Sequence, residues 1–145
     1  MAESDADMSR WEHFYHVADI GVRGVAASPD LAFAQAALAM IAVISEPRAV
    51  RPRQKVSISC EAPDLELLLV DWLNAVIYEM AVRRMIFSRF EVKIAGTGLT
   101  GEAWGERVDV LRHAPAVEIK GATYTALKVV QTEEGSWLAQ CVVDV

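Results

Sequence analysis

From Leu31 to Ile44 the chain runs through 14 residues with one polar interruption, Gln35, and this stretch constrains the fold more than any other. Ser28-Pro29-Asp30 just before it is a strong helix start: a serine to cap, a proline at the first helical position and an acid at the positive end of the dipole. The spacing predicts a helix over about 29 to 44. Ala32, Phe33, Ala36, Ala37, Leu38, Met40 and Ile41 leave it apolar almost all round, so it must be covered on more than one side. The run is too short to span a bilayer, which makes it a core helix.

A second helix follows from periodicity. Between Pro63 and Met80, Leu65, Leu68, Leu69, Trp72, Leu73, Val76, Ile77 and Met80 recur at intervals of three and four, with Glu66, Asp71, Asn74 and Glu79 elsewhere. Alternation in Val56–Cys60 and Phe90–Ile94 marks strands, and β-rich runs lie near Trp11–His16, Val22–Ala26 and Leu99–Trp104. Val117–Lys120 reads as a further strand, and Ala126–Gln131 with Trp137–Val143 as a hairpin turning at Glu133-Glu134-Gly135. Two helices among seven or eight strands give an α+β fold. At 145 residues and 53% hydrophobic, the chain suffices for one core, so we expect a single domain over 11–145 after a flexible tail over 1–10. That tail lacks the basic start and hydrophobic stretch of a signal peptide, and a soluble cytoplasmic protein is expected.

Lys and Arg number 14 against 20 Asp and Glu, a net charge of −6 that disfavours broad electrostatic capture of nucleic acid or anionic membrane. Local basic runs remain: Arg48, Arg51, Arg53 and Lys55 after the first helix, and Arg83-Arg84 closing the second. Neither interleaves aromatic residues. They read as a solvated loop and as charges suited to a helix C-terminus, and RNA contact is expected to be indirect or weak. Cys60 and Cys141 have no Cys-x-x-Cys spacing and read as two buried thiols. Gly96-Thr97-Gly98-Leu99-Thr100-Gly101 lacks the Gly-Lys-Ser/Thr ending of a phosphate loop and reads as a tight turn between strands. His13, His16 and His113 show no metal-binding spacing, and no nucleophile elbow is present.

Two acids stand out at opposite ends of the chain. Asp19 lies in His16-Val17-Ala18-Asp19-Ile20-Gly21 and Asp144 in Cys141-Val142-Val143-Asp144-Val145, each interrupting apolar sequence. A carboxylate among residues that favour burial is costly unless it is hydrogen-bonded, ion-paired or metal-bound. Taken singly, Asp19 reads as a turn residue bonding its own backbone, and Asp144 as a solvated terminal acid. Val142-Val143 would carry a strand up to Asp144, however, placing it at a sheet end beside the terminal carboxylate of Val145. If the fold joins the two ends, three oxygen-bearing groups converge.

The ordered motifs His16-Val-Ala-Asp19-Ile-Gly21, Asp64-Leu-Glu-Leu-Leu-Leu with Asp71-Trp72-Leu73-Asn74 and Tyr78, Gly101-Glu102, Glu118-Ile-Lys120-Gly-Ala-Thr123-Tyr124, and Trp137 with terminal Asp144-Val145 span nearly the whole chain after residue 10. In these motifs the sequence resembles the archease family. The resemblance implies an SHS2-type fold, with two main helices packed on curled, mostly antiparallel sheets. It also implies an accessory role: archeases activate RtcB-type RNA-splicing ligases, promoting GTP-dependent guanylylation of the ligase histidine and multiple turnover. By the same resemblance Asp19, Asp144 and a main-chain oxygen of Val145 bind a divalent metal, Ca²⁺ first, with Mg²⁺ or Mn²⁺ as alternatives. Lys120, Glu102 and His16 are then expected to contact the partner or its nucleotide, although Lys120 also reads simply as an outward strand residue. One departure is Thr125, which stands where family members commonly carry histidine. Two other classes remain open: a stand-alone metal enzyme, for which only His16 or Glu102 is left as a base, and a small metal-binding or chaperone-like module sharing the fold.

Overall fold

The computed structural model describes residues 9–145, so residues 1–8 of the expected tail lie outside the described residues. β1 (Arg10–His16) and β2 (Asp19–Ala26) form a hairpin, followed by α1 (Pro29–Ile44) and a 3₁₀ turn at Pro47–Ala49. Next come β3 (Gln54–Glu61), α2 (Leu65–Arg83), β4 (Met85–Ala95), β5 (Gly98–Arg107) and a short α3 (Val110–His113). The chain closes with β6 (Gly121–Ala122), β7 (Lys128–Gln131) and β8 (Trp137–Asp144). One sheet runs β1-β2-β8-β6, with β7 pairing the same strand β8, and the other runs β3-β5-β4. Every pairing is antiparallel.

α1 begins as its sequence requires: Ser28 Oγ accepts from the Leu31 N–H at 3.2 Å, and Asp30 Oδ2 accepts from the Ile94 N–H at 3.2 Å, tying the helix start to β4. It is buried on all sides but the stripe Leu31, Gln35, Leu38 and Ala42, which is partly exposed, because α1 lies between β2 of one sheet and β4 of the other. Alanines permit that closeness. A side chain at Gly24 of β2 would strike the backbone of Ala32 and Ala36, so the helix–sheet approach depends on a bare Cα there. α2 is capped by Asp64, whose Oδ1 accepts from the Leu67 N–H at 2.8 Å, and ends at Arg84 in the left-handed conformation (φ 56°). It buries Leu68, Leu69, Trp72, Leu73 and Val76, and Trp72 donates from Nε1 to the Phe33 carbonyl at 3.1 Å while its ring covers Gly101.

Three sequence expectations are corrected. Val117–Lys120 is not a strand: pairing begins only at Gly121, because Pro115 has no N–H to give, Ala114 turns left-handed (φ 45°) and, among the described residues, no strand pairs with 117–119. The four-residue α3 went unforeseen, being too short for periodicity, although Asp109 caps it by accepting from the Leu111 and Arg112 N–H groups at 3.1 and 3.2 Å. Cys141 is fully buried, its thiol pushed up to about 12 by burial, but Cys60 is only half-buried, near the end of edge strand β3.

Candidate metal centre at an acidic sheet end

The β1–β2 hairpin turns on two residues, Val17 and Ala18, so His16 and Asp19 pair directly across it. Val17 sits at φ 56° and is 93% exposed; a left-handed backbone costs a residue with a side chain about 1–2 kcal/mol. The hairpin below the turn is stiffened by Phe14, whose ring lies over its cross-strand partner Gly21 with the Arg23 guanidinium 4.6 Å from the ring centroid. A side chain at position 21 would displace that ring, a physical reason for glycine two residues after Asp19.

β2 then pairs β8 in a register that sets Ile20 opposite Val143, so the next step brings Asp19 opposite Asp144. On the far side of β8, Gly121 pairs with Asp144, and the Lys120 N–H donates to the Asp144 carbonyl at 2.7 Å. His16, Asp19, Asp144 with Val145, and Lys120 therefore occupy the same end of four adjacent strands. All five are exposed. Asn74 of α2 holds this edge in place, its Oδ1 accepting from the Ala122 N–H at 2.9 Å and its Nδ2 donating to the Ala122 carbonyl at 3.5 Å. Thr123 adds two bonds to the Val142 carbonyl, from its N–H at 3.0 Å and its Oγ1 at 2.8 Å, and the Thr125 carbonyl accepts from the Val142 N–H at 3.0 Å. At the non-histidine position, Thr125 serves β8 through its backbone.

The acids interrupt apolar runs because the buried strands end there, in solvent. Burial is not what requires a partner for them. Their side chains have neither hydrogen bond nor ion pair among the described residues, and Asp19 does not bond its own backbone as a turn residue would. The donor set is all oxygen, which suits a hard cation such as Ca²⁺, Mg²⁺ or Mn²⁺ rather than zinc. Among the described residues no three His, Cys, Asp or Glu side chains gather as a metal cluster, so a third protein ligand would be a main-chain oxygen, with Val145 adjacent. Glu102 is not part of this group. It lies on β5 of the other sheet, paired with Lys55 at 3.1 Å and facing Glu91 across the ladder.

Sequence reasoning missed a buried polar cluster elsewhere. Glu106 Oε2 accepts from the Arg51 N–H at 2.7 Å, Arg112 Nη1 at 2.8 Å and His113 Nε2 at 3.0 Å, while His113 Nδ1 accepts from the Asp109 N–H at 2.8 Å. The hydrogen bond from Arg112 holds the Glu106 carboxyl well below the usual carboxylate range. The signal was faint, an acid at an outward position of a strand followed by Asp-x-x-Arg-His. A separate apolar cavity of about 220 Å³ is lined by Ile44, Ile77, Met80, Met85, Val108 and Ile119, among others.

Residues 11–145 match the model of the Archease protein family (MTH1598/TM1083). The protein archease of Pyrococcus furiosus is 37% identical over 142 residues, covering 95% of this chain and 100% of that protein. The solution structure of protein 1598 of Methanobacterium thermoautotrophicum superposes with a TM-score of 0.81 at 28% identity, over 93% of this chain and 98% of that one. A crystal structure from Thermotoga maritima, described as an archease and possible chaperone, shares the fold with a TM-score of 0.60 at 18% identity, over 92% and 96% of the two chains.

Proposed function

The chain belongs to the archease family, and from that premise we propose that it is an accessory protein that activates an RtcB-type RNA-splicing ligase, promoting GTP-dependent guanylylation and repeated turnover, rather than a stand-alone enzyme. The observation that carries this reading is the register that sets Asp19 opposite Asp144 at an open sheet end, with His16 at the end of β1 and Lys120 just before β6 on either side. The Asp19 and Asp144 carboxylates and the Val145 main-chain oxygen would hold one divalent cation, Ca²⁺ by resemblance or Mg²⁺ or Mn²⁺. Such a cation supplies fixed positive charge that neutralises phosphate oxygens.

The residues of this chain do the rest by position. Asp19 and Asp144 hold the site together from two strands, so it exists only when β2 and β8 are paired. Three protein oxygens would leave a six- to eight-coordinate ion about half bare and open to a partner, since His16, Asp19, Lys120, Asp144 and Val145 are all exposed. Lys120, just before β6 and bonded through its N–H to the Asp144 carbonyl, offers an exposed positive charge for a partner carboxylate or a nucleotide phosphate, and His16 adds a ring nitrogen across the hairpin. The apolar cavity favours a second reading, in which the chain is a chaperone-like module that binds partner polypeptide without activating a ligase.

The test is to incubate the protein with its cognate ligase, GTP and Mn²⁺ and to follow guanylylation and ligation over several turnovers. A gain over ligase alone is expected. No gain ends the proposal and leaves the module reading.

A further inference from the structure

The arginines of this acidic protein are unevenly placed. Arg51 and Arg53 precede β3, and the Arg53 N–H donates to the Gly105 carbonyl of β5 at 3.0 Å, which sets this segment beside Arg107 at the end of β5. The Arg84 carbonyl accepts from the Val108 N–H at 2.9 Å, which joins Arg84 to the same edge. None of these four guanidinium groups has an ion-pair partner among the described residues, and all four residues are exposed. Arg53 and Arg107 line a polar concavity shared with Glu106, Asp109 and Arg112. Neither acid of the concavity forms an ion pair with Arg53 or Arg107: Glu106 is engaged by Arg112 and the Arg51 N–H, and Asp109 caps α3.

An aromatic residue completes the edge. Lys55, Trp104 and Arg89 form one cross-strand row on β3, β5 and β4, and its alternation against the buried row Val56, Ala103 and Phe90 turns it to the outer face. α1 and α2 cover the other face. Trp104 is half-buried, with the Arg89 guanidinium 4.4 Å from its ring centroid. Besides that ring contact, Arg89 makes an exposed ion pair to Glu91 at 3.0 Å, a contact that is easily exchanged. The basic run after the first helix lacked aromatics along the sequence; the fold supplies one across the sheet.

We propose that this arginine edge and the outer face of β3-β5-β4 bind single-stranded nucleic acid, with phosphates along Arg51, Arg53 and Arg107 and a base stacked on Trp104. Exposed sheet faces with an aromatic platform and flanking cations bind strands in this way, stacking supplying sequence-tolerant affinity and cations the salt dependence. The surface is separate from the acidic sheet end and binds without any ligase, so its test and that of ligase activation fail independently.

The full chain is titrated against a fluorescein-labelled single-stranded 12-mer, as RNA and as DNA, by anisotropy at two salt concentrations. Binding that weakens with salt is expected for at least one of the two. Arg53→Ala with Arg107→Ala should lower the slope of log affinity on log salt by about one for each phosphate no longer held. Trp104→Leu should weaken binding about tenfold with the slope unchanged, and Trp104→Phe should restore most of it. Lys128→Ala, on the other sheet, serves as a control for net charge and should bind as the parent does. No binding at either salt, an equal loss in Lys128→Ala, or a duplex bound as tightly as the single strand would each overturn the proposal.

Discussion

Glu106 shows how far one side chain can govern a segment. It fastens the chain before β3, through the Arg51 N–H, to the α3 segment, through Arg112 and His113, and Arg112 Nη1 also donates to the Ala49 carbonyl at 2.7 Å. Because its folded-state pKa lies below the ordinary value of 4.5, the stability it contributes is present above that value and is lost as pH falls below it. Glu106→Gln should therefore cost about 1.5–3 kcal/mol near neutral pH, with the difference from the parent shrinking as the pH falls to about 2. Urea unfolding of both proteins across that range reads the effect, and a pH-independent difference would contradict it. At this scale the candidate acids were legible as anomalies, but their pairing was implied only by the family resemblance. Asp19 and Asp144 are joined by strand order alone, and no spacing along the chain encodes which strand lies beside which.

Among the elements, those with strong local signals fell where the sequence set them. α1 starts and stops where Ser28-Pro29-Asp30 and the end of the apolar run require, and the hairpin between β7 and β8 turns at Gly135, at φ 88°. β6 is the counterexample. Its two residues have no local signal, and they are strand because Asn74 and β8 hold them on either side. Asn74→Ala removes both bonds to Ala122 and should cost about 1–2 kcal/mol. Amide exchange at Lys120 and Ala122 should accelerate while that of β1 stays unchanged. Uniform acceleration would mean that Asn74 supports the whole fold rather than the edge carrying Lys120.

For the molecule as a whole, α1 is the shared wall of two sheets, and the sequence signalled this by leaving that helix without a polar face. The contact with the first sheet tolerates nothing larger than glycine at position 24. Gly24→Ala would push a methyl group into the Ala32 and Ala36 backbone and should cost about 2–3 kcal/mol, lowering the urea midpoint with little change in slope. A loss under about 0.5 kcal/mol would show that helix and sheet can slide apart freely. Because one wall serves both sheets, loosening it disturbs the first sheet and the end at which Asp19, Asp144 and Lys120 meet. Those two carboxylates, brought side by side from the two ends of the chain, would form one cation site. Calorimetric titration with Ca²⁺ and Mn²⁺ tests it most directly: the parent should bind a single ion, and Asp19→Ala and Asp144→Ala should each abolish that binding while remaining folded, whereas unchanged affinity in either variant would contradict the site.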